Sequence, residues 1–204
     1  MGNRLLAIET SGAACSLALF EDGHLLAARH EVIGRGHAER IIPWIADLPG
    51  GGRADAILAG CGPGSFTGVR VGIAAARALA LGWGVPVHGM ASLGLIAAAA
   101  GVSGPMLVAI EGGHGELFVQ PYDGMTGAET GPLRSVLPEV AAQDCLQEIV
   151  AGQGAARLVA ARGWGAVLDI AADAVHALDL PAASRTLEPS PIYGRAPDAR
   201  PQAA

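Results

Sequence analysis

The residues best placed to do chemistry fall in two short strings. Gly62-Pro63-Gly64-Ser65-Phe66-Thr67-Gly68-Val69-Arg70 lies between a buried strand-like run and a long helix-like one. Glycines at such a junction permit positive φ and close backbone approach. The free N–H groups of the helix start can hold an anion. Gly62, Gly64, Ser65, Thr67 and Gly68 are therefore candidate anion-binding residues. The string lacks the Gly-Lys-Ser/Thr of a Walker A loop, and Thr67 stands where a dinucleotide fingerprint needs its third glycine. A tight turn with Ser65 or Thr67 capping the helix is the alternative, and the sequence leaves both open. The second string is Glu9-Thr10-Ser11, an acid and two hydroxyls at the end of the first strand-like run. It suits metal-bound water or a phosphate, and equally a turn whose hydroxyls bond the backbone.

Little else offers a reaction. The six histidines include no pair at i, i+4 and no His-Glu-x-x-His, so local histidines make no metal site. There is no Gly-x-Ser-x-Gly elbow. Cys15, Cys61 and Cys145 are odd in number and widely spaced, which argues against a disulfide framework or zinc site and for small buried hydrophobes. No catalytic residue and no metal ligand is assigned.

The elements that must position these strings follow from apolar periodicity. Leu5–Glu9, Cys15–Phe20 and Leu25–Glu31 read as strands, the last two joined by an Asp22-Gly23 hairpin signal. A helix over 38–48 contains Pro43, which cannot donate to the carbonyl of Glu39, so a kink or a tightened first turn is expected. A strand over 56–61, a helix over 69–83, a strand over 85–88 and a helix over 92–100 complete a βββαβαβα order. Ser103-Gly104-Pro105 reads as a linker. Strands resume at 106–110, 116–122 and 133–137, so the second half restarts the first in shortened form. The expected fold is α/β: a lobe of residues 1–102 and a smaller one of 103–204 with a cleft between them, ending in an extended, loose tail from Pro181.

The 69–83 helix is apolar almost all round, the mark of burial on more than one side. Gly68, Gly72, Ala76, Ala80 and Gly84 form a stripe of small residues. Either the helix lies deep between a sheet and a neighbouring helix, or a partner covers it. The partner surface is the expectation carried forward.

Of 204 residues, 51% are hydrophobic and 16% charged, with net charge −6 and no lysine. The apolar excess reflects a second buried surface or merely abundant Ala and Gly. Without a basic patch the chain alone is a poor nucleic-acid ligand. Apolar runs fall short of the roughly 20 residues a bilayer needs, and no signal-peptide core is present, so a cytoplasmic location is expected.

Three strings together resemble the TsaB/YeaZ family: Leu6-Ala7-Ile8-Glu9-Thr10-Ser11 with Ala14–Leu19, His37-Ala38-Glu39-Arg40-Ile41-Ile42-Pro43, and the Gly62–Arg70 string. The likeness is dense over 4–100. Beyond that it rests on Gly115-Glu116-Leu117-Phe118 and Pro191-Ile192-Tyr193-Gly194-Arg195. It implies an actin-like ATPase (ribonuclease H-like) fold of two βββαβα-type lobes, the second reduced. It implies a dimerization subunit with no catalysis of its own, supporting transfer of threonylcarbamoyl to the anticodon-adjacent adenosine of tRNA. The implied partners are a catalytic TsaD-like subunit, a TsaE-like ATPase, a second copy when alone, and tRNA only through the complex. Pairing through the first lobe's two helices points to His37, Arg40, Ile41, Trp44, Ile45, Val69, Gly72, Ile73, Ala76, Arg77 and Ala80 as interface residues. No tightly held cofactor is implied; ATP or ADP at the subunit interface is the candidate. The catalytic relative has two metal-binding histidines four residues apart, where this chain has Ser92 and Ile96. The family's usual Asp-Ala-Arg is replaced here by Glu111-Gly112-Gly113-His114. A nucleotide-binding phosphotransferase or metallopeptidase-like enzyme of the same fold, and a homodimeric module unconnected with tRNA, are the alternatives.

Overall fold

The computed structural model describes residues 2–194. Strands β1 (Arg4–Glu9), β2 (Ala14–Glu21) and β3 (His24–Val32) are antiparallel neighbours, followed by α1 (His37–Ala46), β4 (Ala56–Gly60), α2 (Phe66–Trp83), β5 (Val87–Met90) and α3 (Ser92–Ala99). The first sheet has the order β3-β2-β1-β4-β5, with β4 and β5 parallel to β1. Asp22 and Gly23 both have positive φ, at 51° and 80°, as the tight turn of this hairpin requires.

A second round follows: β6 (Pro105–Glu111), β7 (Leu117–Asp123), β8 (Ala128–Glu129), β9 (Arg134–Val136), α4 (Pro138–Asp144), β10 (Ile149–Ala151), α5 (Ala155–Arg162) and β11 (Ala166–Leu168). Its sheet runs β11-β10-β6-β7-β8, with β9 also on β7. Parallel β10 and β11 stand to β6 as β4 and β5 stand to β1. The two sheets thus repeat one topology with shorter strands, which is the two-lobed actin-like ATPase arrangement.

Side-chain alternation decides what each sheet face covers. Leu6 and Ile8 of β1 join Leu17, Leu19 and Ile57 under α1 and α2, where Ile41, Trp44, Ile45, Val69 and Ile73 close the layer. Ala7, Ala18, Phe20 and Leu58 point to the opposite face, beneath Leu95, Ala174, Ala177 and Leu180. Helix α3 is apolar all round because it lies between the sheets: Leu93, Ile96 and Ala97 pack on Met106, Val108, Phe118 and Tyr122. The outer face of the second sheet is covered by Ala141 of α4 and by Ala155 and Leu158 of α5. Helix α1 runs on through Pro43.

The tail expected to be extended and loose from Pro181 behaves otherwise within the described residues. Short 3₁₀ turns at Ala174–His176 and Ala182–Arg185 lay the chain back on the first sheet, and Leu187 bridges Gly89. Arg195 and the rest of that tail lie outside the described residues. Among the described residues no helix is long and apolar enough to cross a membrane.

Candidate functional site

The two chemistry-bearing strings meet at the mouth of the cleft between the sheets. Glu9 ends β1 and is 1% exposed. Its Oε1 accepts from the Ser11 N–H at 2.5 Å, and its Oε2 accepts from Ser92 Oγ at 2.6 Å. Ser92 Oγ in turn accepts from the Gly62 N–H at 3.0 Å. The carboxylate is thus consumed in fixing strand end, loop and helix to one another. Ile96, which the resemblance pairs with Ser92, is 2% exposed. Among the described residues no three His, Cys, Asp or Glu side chains are grouped to hold a metal.

The glycine-rich loop is held as firmly. The Ser65 N–H donates to Ser11 O at 2.7 Å, and Thr10 Oγ1 donates to Gly68 O at 2.8 Å. Ser65 caps α2, its Oγ accepting from the Gly68 N–H at 3.3 Å. Cys61, just before the loop, is fully buried, and desolvation pushes its thiol from about 9 up to about 11. The Ser65 cap expected under the tight-turn reading is therefore present, and Ser65 and Gly64 also line the cleft.

That cleft has a volume of about 480 Å³ and is bounded by Ser11, Gly12, Ser92, Ile96, Gly112 and Gln153 among others. Among the described residues its single ionisable lining residue is Glu111, whose carboxylate pairs with Arg157 of α5. Arg157 also donates to Gly115 O at 2.8 Å, so it braces the Glu111–Gly115 turn from outside. Nothing in the sequence marked Arg157, the hydrogen bonds of Ser92 or the part-buried Ser16–Asp173 pair. Each joins segments far apart in the chain, Ser16 Oγ donating to Asp173 Oδ1 at 2.8 Å.

The expected interface list requires correction. Ile41, Trp44, Ile45, Val69, Gly72, Ile73, Ala76 and Ala80 are buried within a single copy, facing the first sheet or its helices. His37, the first residue of α1, is 7% exposed, with Nε2 3.2 Å from Ala14 O. Arg40 and Arg77 alone of the list are exposed. The first two glycines of the small-residue stripe face the end of β1: a Cβ on Gly68 would overlap Thr10 O, and one on Gly72 would overlap Thr10 Oγ1. The helix lies so close to β1 that only glycine fits. The outer faces of α1 and α2 carry different residues. Ile42 is 48% exposed and Leu81 86%, with Ala38, Ala74 and Ala78 also exposed. The two helices pack side by side, so these residues lie on one flank of the first lobe.

A family model described as TsaD, tRNA N6-adenosine threonylcarbamoyltransferase, matches residues 30–130. The Escherichia coli tRNA threonylcarbamoyladenosine biosynthesis protein TsaB is 40% identical over 127 residues, which is 58% of this chain and 54% of that protein, so the match spans about half of that relative. A Mycobacterium bovis protein of no stated function is 32% identical over 98% of this chain and 95% of its own length. The structure of YeaZ from Pseudomonas aeruginosa superposes with TM-score 0.80 and 30% identity, covering 94% of this chain and 99% of that one. With likeness of that extent in both sequence and fold, the chain belongs to the TsaB/YeaZ family of tRNA threonylcarbamoyladenosine biosynthesis.

Proposed function

We propose that this chain is a docking subunit without chemistry of its own, supporting a TsaD-like catalytic subunit in threonylcarbamoyl transfer to tRNA. The observation that carries the reading is the outer flank of α1 and α2. It exposes Leu81 and Ile42, Leu81 being at 86% the most exposed large hydrophobic residue of the first lobe, ahead of Val32 and Leu25 on the edge strand β3. A leucine 86% exposed on a regular helix gains about 1.5–3 kcal/mol on full burial. The occupant is argued from the family match: the TsaD model covers residues 30–130, the stretch that holds both helices. A partner with equivalent helices can meet this flank in a near-two-fold pairing, and a second copy can do the same when the partner is missing.

The cleft supports the non-catalytic half of the reading. Both oxygens of Glu9 are engaged, and among the described residues no Arg, Lys or His lines the cleft. Phosphates there would meet backbone N–H groups, the neutral side chains of Ser11, Ser65 and Gln153, and the Glu111 carboxylate, with no cation to balance their charge among the described lining residues. We place ATP or ADP, a TsaE-like ATPase and tRNA at the assembled complex, outside this chain's own cleft. A net charge of −6 without lysine fits tRNA reaching it only through the complex. The test is titration of a purified TsaD-like subunit into this protein by calorimetry, with Leu81→Glu as the variant. Binding by the natural chain and its loss in the variant are expected. Equal binding by both removes the assignment of the flank.

A further inference from the structure

The chain beyond the second sheet returns to the first lobe and passes the start of α2. Leu187 and Gly89 exchange backbone hydrogen bonds of 2.7 and 3.0 Å, so the segment occupies the free edge of β5. The Ile192 N–H donates to Cys61 O at 2.8 Å, at the entry to the glycine-rich loop. Tyr193 then meets Phe66, the first residue of α2, edge to face, with ring centroids 5.2 Å apart at 68°. Its hydroxyl accepts from Arg70 Nε at 3.0 Å, and the guanidinium carbon lies 5.5 Å from its ring centroid. Gly194 abuts Phe118 of β7 so closely that a Cβ would overlap the ring. Eight residues thus touch the edge of the first sheet, the loop, the start of α2 and the second sheet in turn.

Arg70 is the reason this contact is more than a resting place. It stands near the N-terminus of α2, where the helix dipole disfavours a cation, and the first turn has no acidic residue. Tyr193 supplies what the helix lacks, an acceptor and a π face.

We infer that Leu187–Gly194 is a strap that couples the second sheet to the glycine-rich loop and the first turn of α2, with Tyr193 as its pin. Tyr193 is a positioning residue. It holds Phe66 and Arg70, and through them the Ser65 cap at the cleft mouth. Release of the pin loosens the cleft rim and the start of α2 together, leaving the sheets intact.

Residue-resolved hydrogen exchange on the full-length protein tests it. Tyr193→Ala is expected to raise exchange at least tenfold at the Ile192 and Ser65 amides, with the Val150 amide of β10 unchanged. Tyr193→Phe keeps the ring and loses the hydroxyl, and is expected to give a smaller rise at the same two amides. Unchanged exchange at Ile192 and Ser65 in Tyr193→Ala overturns the pin. So does an equal rise at Val150 in both variants, which would mean general loss of stability without local coupling.

Discussion

Leu81→Ala separates docking from folding. In a single copy Leu81 is 86% exposed, so truncating it removes little packing. Alanine is the better helix former, by a few tenths of a kcal/mol at most. At protein concentrations below the dimer Kd the melting temperature is therefore expected to stay the same. If the α1/α2 flank is the contact, pairing buries this side chain, and its loss costs about 2 kcal/mol. That corresponds to about a 30-fold weaker Kd for a heterodimer. In a two-fold homodimer both copies lose it, so about 4 kcal/mol and about a thousandfold are expected. Sedimentation velocity over a concentration series reads the homodimer, and calorimetry with the TsaD-like subunit reads the heterodimer. A Kd within twofold of the natural chain in both assays refutes the reasoning. The ratio of the two effects is a further check, because only a symmetric contact doubles the loss.

Gly72→Leu should act on the monomer. Its new side chain would meet Thr10 across the helix–sheet contact, and overpacking of this kind costs about 1–3 kcal/mol in a urea melt. Ser92→Ala leaves the buried Glu9 carboxylate with one protein donor instead of two. A stability loss of about 1–3 kcal/mol is expected in chemical denaturation, with pairing affinity unchanged. Alkaline pH should destabilise the fold. Burial raises the Cys15 and Cys61 thiols from about 9 to about 11. The folded state therefore keeps these protons while the unfolded chain loses them. The stabilisation is whole below about pH 9 and declines as pH rises to about 11, by on the order of 2 kcal/mol per thiol. Melts of Cys61→Ala should show a shallower decline over that window than the natural chain.

The fold was legible because apolar periodicity is local. The short apolar runs at 5–9 and 15–20, the Asp22-Gly23 turn and the long apolar 69–83 stretch each carry their own signal, and the elements lie within a few residues of expectation. The Gly62–Gly68 loop announced itself for the same reason. The reach of the partner surface was misjudged on one point of physics. A stripe of small residues states that something comes close, and says nothing about whether that something is a partner or the helix's own sheet; at Gly68 and Gly72 it is β1. Ile41, Trp44, Ile45 and Ile73 are buried in the core that the first sheet shares with α1 and α2. The Glu9–Ser92–Gly62 chain, the Arg157 brace and the Asp173 contact escaped because they join residues 30 to 157 positions apart, and single residue types carry no mark of such distant pairing.

The most direct test of the docking reading is site-specific photo-crosslinking with the purified TsaD-like subunit. A crosslinking residue at position 81 is expected to capture the partner in high yield, and one at Val167, exposed on the far edge of the second sheet, to give none. Capture from 167 without capture from 81 would contradict the account.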